Sequence, residues 1–155
     1  MYLNASFNLN MQEEPEKKRL DLYGETILRE SRSPYHFEKM PEGRTVVEAY
    51  NPYCGDKYRL FLDVEEGVIR TIHFHGYGCA VSKASCSVLA QELEGKPLEE
   101  ARQLIGGFVA AIRKEGMPSD EVALIVAPFL PAADYPGRET CAVLGWEAFG
   151  RWLSL

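Results

Sequence analysis

KYRLFLDVEEGVIRTIHFHGY, residues 57–77, alternates polar and apolar side chains through two runs joined by the turn EEG at 65–67. In the first run Tyr58, Leu60, Leu62 and Val64 fall on one face by strict alternation, the period of a half-buried strand. In the second, Val68, Ile72 and Phe74 share a face that Arg70 interrupts, and Ile69, Thr71, His73 and His75 occupy the other. A glycine-containing loop between two such runs is a hairpin signal. Upstream, TVVEAY at 45–50 is rich in β-formers, so the reading extends to a three-stranded antiparallel meander.

After Gly78 the period changes. Val81, Ala84, Ser85, Val88, Leu89 and Leu93 share one helical face, and Gly95 is a natural stop. Pro97 opens a second helix through PLEEARQLI, with acidic residues in its first turn. The Gly106–Gly107 pair is expected to break it, and FVAAIRKEG to follow as a separate helix. Residues 116–137 hold four prolines and are expected to form a connection with one helical turn. Cys141, Leu144, Ala148, Phe149 and Trp152 form the apolar face of a last helix. Ahead of the strands, Leu20, Tyr23, Ile27 and Leu28 predict a short amphipathic helix that stops before Pro34, and residues 1–20 a flexible N-terminal arm. Strands first and helices after predict an α+β domain over 21–155, with helices packed on one face of a three-stranded antiparallel sheet.

The chain has 155 residues, 46% of them hydrophobic and 26% charged, so it can bury a core without disulfide staples. Its formal charge is -6 and no basic run stands out, which excludes a phosphate backbone as an expected partner. No apolar run is long enough to span a membrane, and the first ten residues lack the pattern of a signal peptide. The expected place is the cytoplasm, where four cysteines stay as thiols, buried or ligating or reactive.

Three cysteines occupy loops or helix starts. Cys54 lies in NPYCGD between two strands, Cys79 follows the hairpin in HGYGCAVS, and Cys141 sits in the first turn of the last helix. A thiolate near a helix N-terminus is stabilised by unpaired N–H groups and the dipole, which suits a metal ligand and a nucleophile alike. Asp56, two residues after Cys54, can add a hard oxygen across the same turn. Three sulfurs and one oxygen make a tetrahedral zinc set. Spacing alone leaves the plainer reading open, that of three core cysteines and a turn aspartate.

The segments NPYCGD, HGYGCAVSKAS, LEGKPLEEA and GRETCAVLGWEAF resemble the U-type iron–sulfur cluster assembly proteins, the SufU/IscU/NifU N-terminal family, from about residue 22 to the end. The order is the family's: a Cys-Gly-Asp turn, a Gly-Cys at a helix start, and a late cysteine on the C-terminal helix. Cysteine intervals of 25 residues (54 to 79) and 62 residues (79 to 141) are closer to the SufU branch, which has an insertion there relative to IscU scaffolds. IscU-type scaffolds carry a histidine where Thr140 stands and a Leu-Pro-Pro-Val-Lys motif that is missing before Cys141.

The resemblance implies a SufE/IscU-like fold, zinc held by Cys54, Asp56, Cys79 and Cys141, and a persulfide sulfur accepted on Cys54 from a cysteine desulfurase of the SufS type. Downstream iron–sulfur assembly proteins follow as further partners. Arg138 matches a family arginine and is expected to pair with the carboxylate when the site opens. Thr140 departs from relatives that carry a basic residue there. Alternatives are a scaffold on which an iron–sulfur cluster is built and transferred, a thiol hydrolase or transferase using Cys54 with His73 or His75, and a structural zinc-binding interaction module. Cys86 lies about two helical turns, roughly 10 Å, beyond Cys79 and reads as a small core residue.

Overall fold

The structure, a computed structural model, describes residues 24–41 and 44–154. The expected arm at 1–20 and the predicted helical positions Leu20 and Tyr23 lie outside the described residues. The described elements are α1 (Glu25–Arg32), β1 (Thr45–Tyr50), β2 (Lys57–Glu65), β3 (Val68–Tyr77), α2 (Ala80–Leu93), α3 (Leu98–Ile112), α4 (Asp120–Val126), a 3-10 segment (Ala127–Asp134) and α5 (Arg138–Leu153). The strands pair antiparallel in the order β1-β2-β3. Five α-helices on a three-stranded antiparallel sheet make the α+β architecture expected from the sequence.

The inner face of the sheet carries Val47, Ala49, Tyr58, Leu60, Leu62, Ile72 and Phe74, all buried. They belong to one core with Leu89 and Leu93 of α2, Phe108 of α3, and Trp146 and Phe149 of α5. Each such apolar side chain contributes roughly 1.5–3 kcal/mol when fully buried. Trp146 stacks on Phe108 at 4.0 Å and donates its indole N–H to Ser85 Oγ at 2.9 Å, satisfying its polar edge inside the core. Ser85 in turn donates to the Ala142 carbonyl, which ties α2 to α5.

Three local expectations need correction. Arg70 does not merely interrupt a face: it is the extra residue of a β-bulge, since Asp63 pairs with Thr71 while Val64 pairs with Ile69. The bulge reverses the alternation, so Ile69 and Ile72 are both fully buried although they differ in parity. Helix α3 runs unbroken through Gly106 and Gly107. A Cβ on Gly107 would meet Val122 Cγ2 at 3.0 Å, so the glycine lets α4 approach, and that packing outweighs a propensity cost of about 1 kcal/mol. Residues 116–137 hold more helix than one turn, with Ser119 capping α4 through its hydroxyl and the 3-10 segment burying Phe129. No helix among the described residues is long and apolar enough to cross a membrane.

Candidate metal centre

The β1–β2 connection closes on itself. The Asn51 amide donates to the Asp56 carbonyl at 2.8 Å, and the Gly55 amide returns to the Asn51 carbonyl at 2.8 Å. Asn51 Oδ1 accepts from the Tyr53 amide at 3.1 Å, an Asx turn. Gly55 takes a φ of 77°, a left-handed conformation that favours glycine. The loop thereby holds Cys54 exposed at its tip and Asp56 buried at its base.

Asp56 is the hub. Its Oδ1 accepts from the Cys79 amide at 3.1 Å, and its Oδ2 accepts from the Cys141 thiol at 3.1 Å. Cys79 is the N-cap of α2, its sulfur accepting from the Ser82 amide at 3.4 Å. Cys141 lies in the first turn of α5, fully buried. Ligand atoms of Cys54, Asp56 and Cys141 all lie within 4.8 Å of one another. Donors around a single zinc sit about 4 Å apart, so this trio is close to a metal-binding arrangement. The Cys79 sulfur falls outside that trio, but the Cys79 amide bonds Asp56 and its side chain interacts with Cys141.

The thiols differ sharply in acidity. Cys79 is lowered to about 5, chiefly by its interaction with the Cys141 side chain; the Ser82 amide and hydroxyl assist against burial. Cys141 is pushed far above the usual thiol range, first by that same interaction with Cys79, then by burial and by Asp56. Without a metal, Cys141 therefore keeps the proton and Cys79 carries the charge. Cys86, fully buried, is pushed up to about 12 by burial. Its sulfur faces Gly145, where a Cβ would approach to 2.9 Å, so it is a core residue as its position in the helix predicts.

Arg138, the first residue of α5, lines the open cleft of about 660 Å³ together with Cys54, Asp56, Cys79, Tyr77 and Pro136. The histidines face elsewhere. His73 stacks on His36 at 4.3 Å and His75 stacks on Phe37 at 5.0 Å, so both rings are engaged by the 34–41 segment. Burial lowers the pKa of His73, whose Nε2 lies 3.3 Å from Glu38 Oε1. A Cys54–imidazole pair has no support in this arrangement. Sequence patterning missed two residues of the site, Ser82 and Tyr58. The Tyr58 hydroxyl bonds Ser82 Oγ at 3.0 Å behind Cys79, whereas alternation marked Tyr58 only as core.

Fold and cleft together define a thiolate–carboxylate centre carried on a meander and two helix starts. Residues 22–148 match the NifU-like N-terminal domain, and the chain belongs to that family. It is 30% identical to the iron–sulfur cluster assembly scaffold protein IscU of Thermotoga maritima, over 81% of this chain and 88% of that one. It is also 30% identical to the zinc-dependent sulfurtransferase SufU of Bacillus subtilis, over 92% and 91% respectively. Its fold is similar to a crystal structure from Fervidobacterium islandicum described as a putative iron–sulfur cluster assembly scaffold protein for the SUF system. That match has a TM-score of 0.80 at 26% identity, covering 86% of this chain and 98% of the other.

Proposed function

We propose that this protein serves iron–sulfur cluster assembly as a zinc-bound sulfur acceptor, taking persulfide sulfur on Cys54 from a cysteine desulfurase of the SufS type. The observation that carries the reading is the contrast within one cleft: Cys54 is exposed, while Asp56 and Cys141 are buried beneath it. A sulfur meant only to hold a metal gains nothing from exposure; one that must meet a partner's persulfide requires it.

Three thiols and a carboxylate fit zinc by softness and number, and the closeness of Cys54, Asp56 and Cys141 supports the fit. Cys54, Asp56, Cys79 and Cys141 would hold the ion. Bound there, zinc keeps thiolates deprotonated without redox chemistry of its own. The chain's residues account for the rest. Cys54 thiolate attacks the terminal sulfur of the donor's cysteine persulfide; a new S–S bond forms on Cys54, the donor's S–S bond breaks, and the donor cysteine leaves as thiolate. No oxidant is needed, because one S–S bond replaces another. Arg138, on the cleft rim, supplies positive charge toward the Asp56 carboxylate as Cys54 moves outward.

The SufU relative is matched over more of this chain than the IscU relative, which favours the acceptor over the scaffold. In this reading the protein works in the cytoplasm, with downstream iron–sulfur assembly proteins as recipients of the sulfur. A desulfurase assay tests the proposal. The zinc-loaded protein is expected to raise cysteine turnover several-fold, Cys54→Ser to abolish the gain, and Arg138→Ala to reduce it. No stimulation, combined with a stable transferable cluster after reconstitution with iron and sulfide, would favour the scaffold instead.

A further inference from the structure

Behind the cleft lies a hydrogen-bonded pair with no part in the fold's ladders or helix bonds. Tyr58, on the inner face of β2, and Ser82, in the first turn of α2, are both fully buried. Their hydroxyls meet at 3.0 Å. Ser82 Oγ also lies 3.1 Å from the Cys79 carbonyl oxygen and 3.7 Å from the Cys79 sulfur, while the Ser82 amide donates to that sulfur at 3.4 Å. The Ser82 amide thus donates to the Cys79 sulfur, while the Ser82 hydroxyl donates to the Cys79 carbonyl and touches the sulfur.

Proton counting orients the chain. Ser82 has a single hydroxyl proton. Tyr58, the stronger acid of the two alcohols, donates to Ser82 Oγ, and burial holds its phenol well above its ordinary value, so it stays a donor. The Ser82 proton is then free for Cys79. Here it serves the Cys79 carbonyl oxygen, with the Cys79 sulfur within 3.7 Å of the same hydroxyl.

Gly78 shows that the space is kept for this purpose. A Cβ there would sit 2.5 Å from Ser82 Oγ, 2.5 Å from Tyr58 Oη and 2.7 Å from Asp56 Oδ1. The three polar groups converge on the volume of one absent methyl. Gly78 makes the turn from β3 into α2 without entering that volume.

We propose that Tyr58 and Ser82 are positioning residues that hold the Cys79 sulfur in one orientation toward the cleft, with Gly78 leaving the room that their hydrogen-bonded chain occupies. The proposal rests on Cys79 being a metal ligand, as argued above. Groups of this kind fix ligand direction and basicity, and their loss typically weakens metal affinity by about 10–100-fold.

The experiment compares wild type, Ser82→Ala and Tyr58→Phe, each checked for folding by far-UV circular dichroism, and reads both the metal and the metal-free sulfur. Zinc affinity is measured by competition with a chromophoric chelator, and cobalt substitution reports the thiolate-to-cobalt charge-transfer band. In zinc-stripped protein, Hα–Hβ couplings of Cys79 report its χ1 rotamer. Ser82→Ala is expected to weaken zinc by about tenfold or more, to shift the cobalt band, and to average the Cys79 couplings; Tyr58→Phe acts in the same direction with smaller size. Wild-type affinity, an unshifted band and a single Cys79 rotamer in both variants overturn the proposal. A wild type that binds neither metal, with Cys79 freed only in the variants, supports the positioning role and removes the zinc reading on which the function was built.

Discussion

Four cysteines of one chain occupy four environments, and their chemistry follows from neighbours rather than from residue type. Cys54 stands exposed on a tight turn, Cys79 caps a helix, Cys141 is buried donating to Asp56, and Cys86 packs against Gly145. Much of this was legible beforehand. Helix-start positions follow from hydrophobic period and glycine placement, and two helical turns separate Cys86 from Cys79. The proton's location was not legible, because it depends on Cys141 meeting Cys79 and Asp56, which lie 62 and 85 positions away in the chain. It yields a pH prediction for zinc-stripped protein. A thiol lowered to about 5 is already thiolate at neutral pH, and one raised to about 12 is not thiolate even in mild alkali. Iodoacetamide labelling of Cys79 should change less than about twofold between roughly pH 6.5 and 8.5, and Cys86 should remain unlabelled until the protein is denatured. Peptide mass mapping reads both; a steep rise at Cys79 across that window, or native labelling of Cys86, contradicts the account.

At the scale of elements, glycines mark where the structure departs from propensity. Gly106 and Gly107 predict a break, yet α3 continues because Val122 of α4 packs where a Cβ would be. A local scale cannot register a partner that arrives from another part of the chain. Arg70 shows the same limit: alternation exposed an irregularity, but only strand pairing identifies it as a bulge. Gly145 of α5 has a comparable role, since a Cβ there would lie 2.9 Å from Cys86 Sγ and 3.6 Å from Leu89 Cδ1. Gly145→Ala gains helix propensity of up to about 1 kcal/mol but overpacks the α2–α5 contact by about 1–3 kcal/mol. Net destabilisation of about 1 kcal/mol is expected in thermal or urea unfolding, and Cys86→Ala in the same chain should recover it through a favourable coupling. Equal or greater stability of the single variant would show that the helices shift apart at no cost.

Over the whole molecule, the meander delivers Asp56 and Cys54 from one hairpin end, while α2 and α5 start at the same end with Cys79 and Cys141. Cys54, Asp56 and Cys141 therefore converge where the sheet stops and helices begin, with Cys79 beside them. The three-stranded sheet and the helix starts beside Cys79 and Cys141 were readable from periodicity and turn chemistry, with family resemblance supplying the claim that the four residues act together. Their depth was not readable, and depth separates the exposed Cys54 from its buried neighbours. Cys54 is the proposed acceptor of the sulfur. The most direct test incubates zinc-loaded protein with a cysteine desulfurase and cysteine, then maps non-reduced peptides by mass spectrometry. A gain of about 32 Da, one sulfur atom, on the peptide carrying Cys54 and lost in Cys54→Ser is the predicted result. An unmodified Cys54 peptide, or the added sulfur on Cys79 or Cys141 instead, would contradict it.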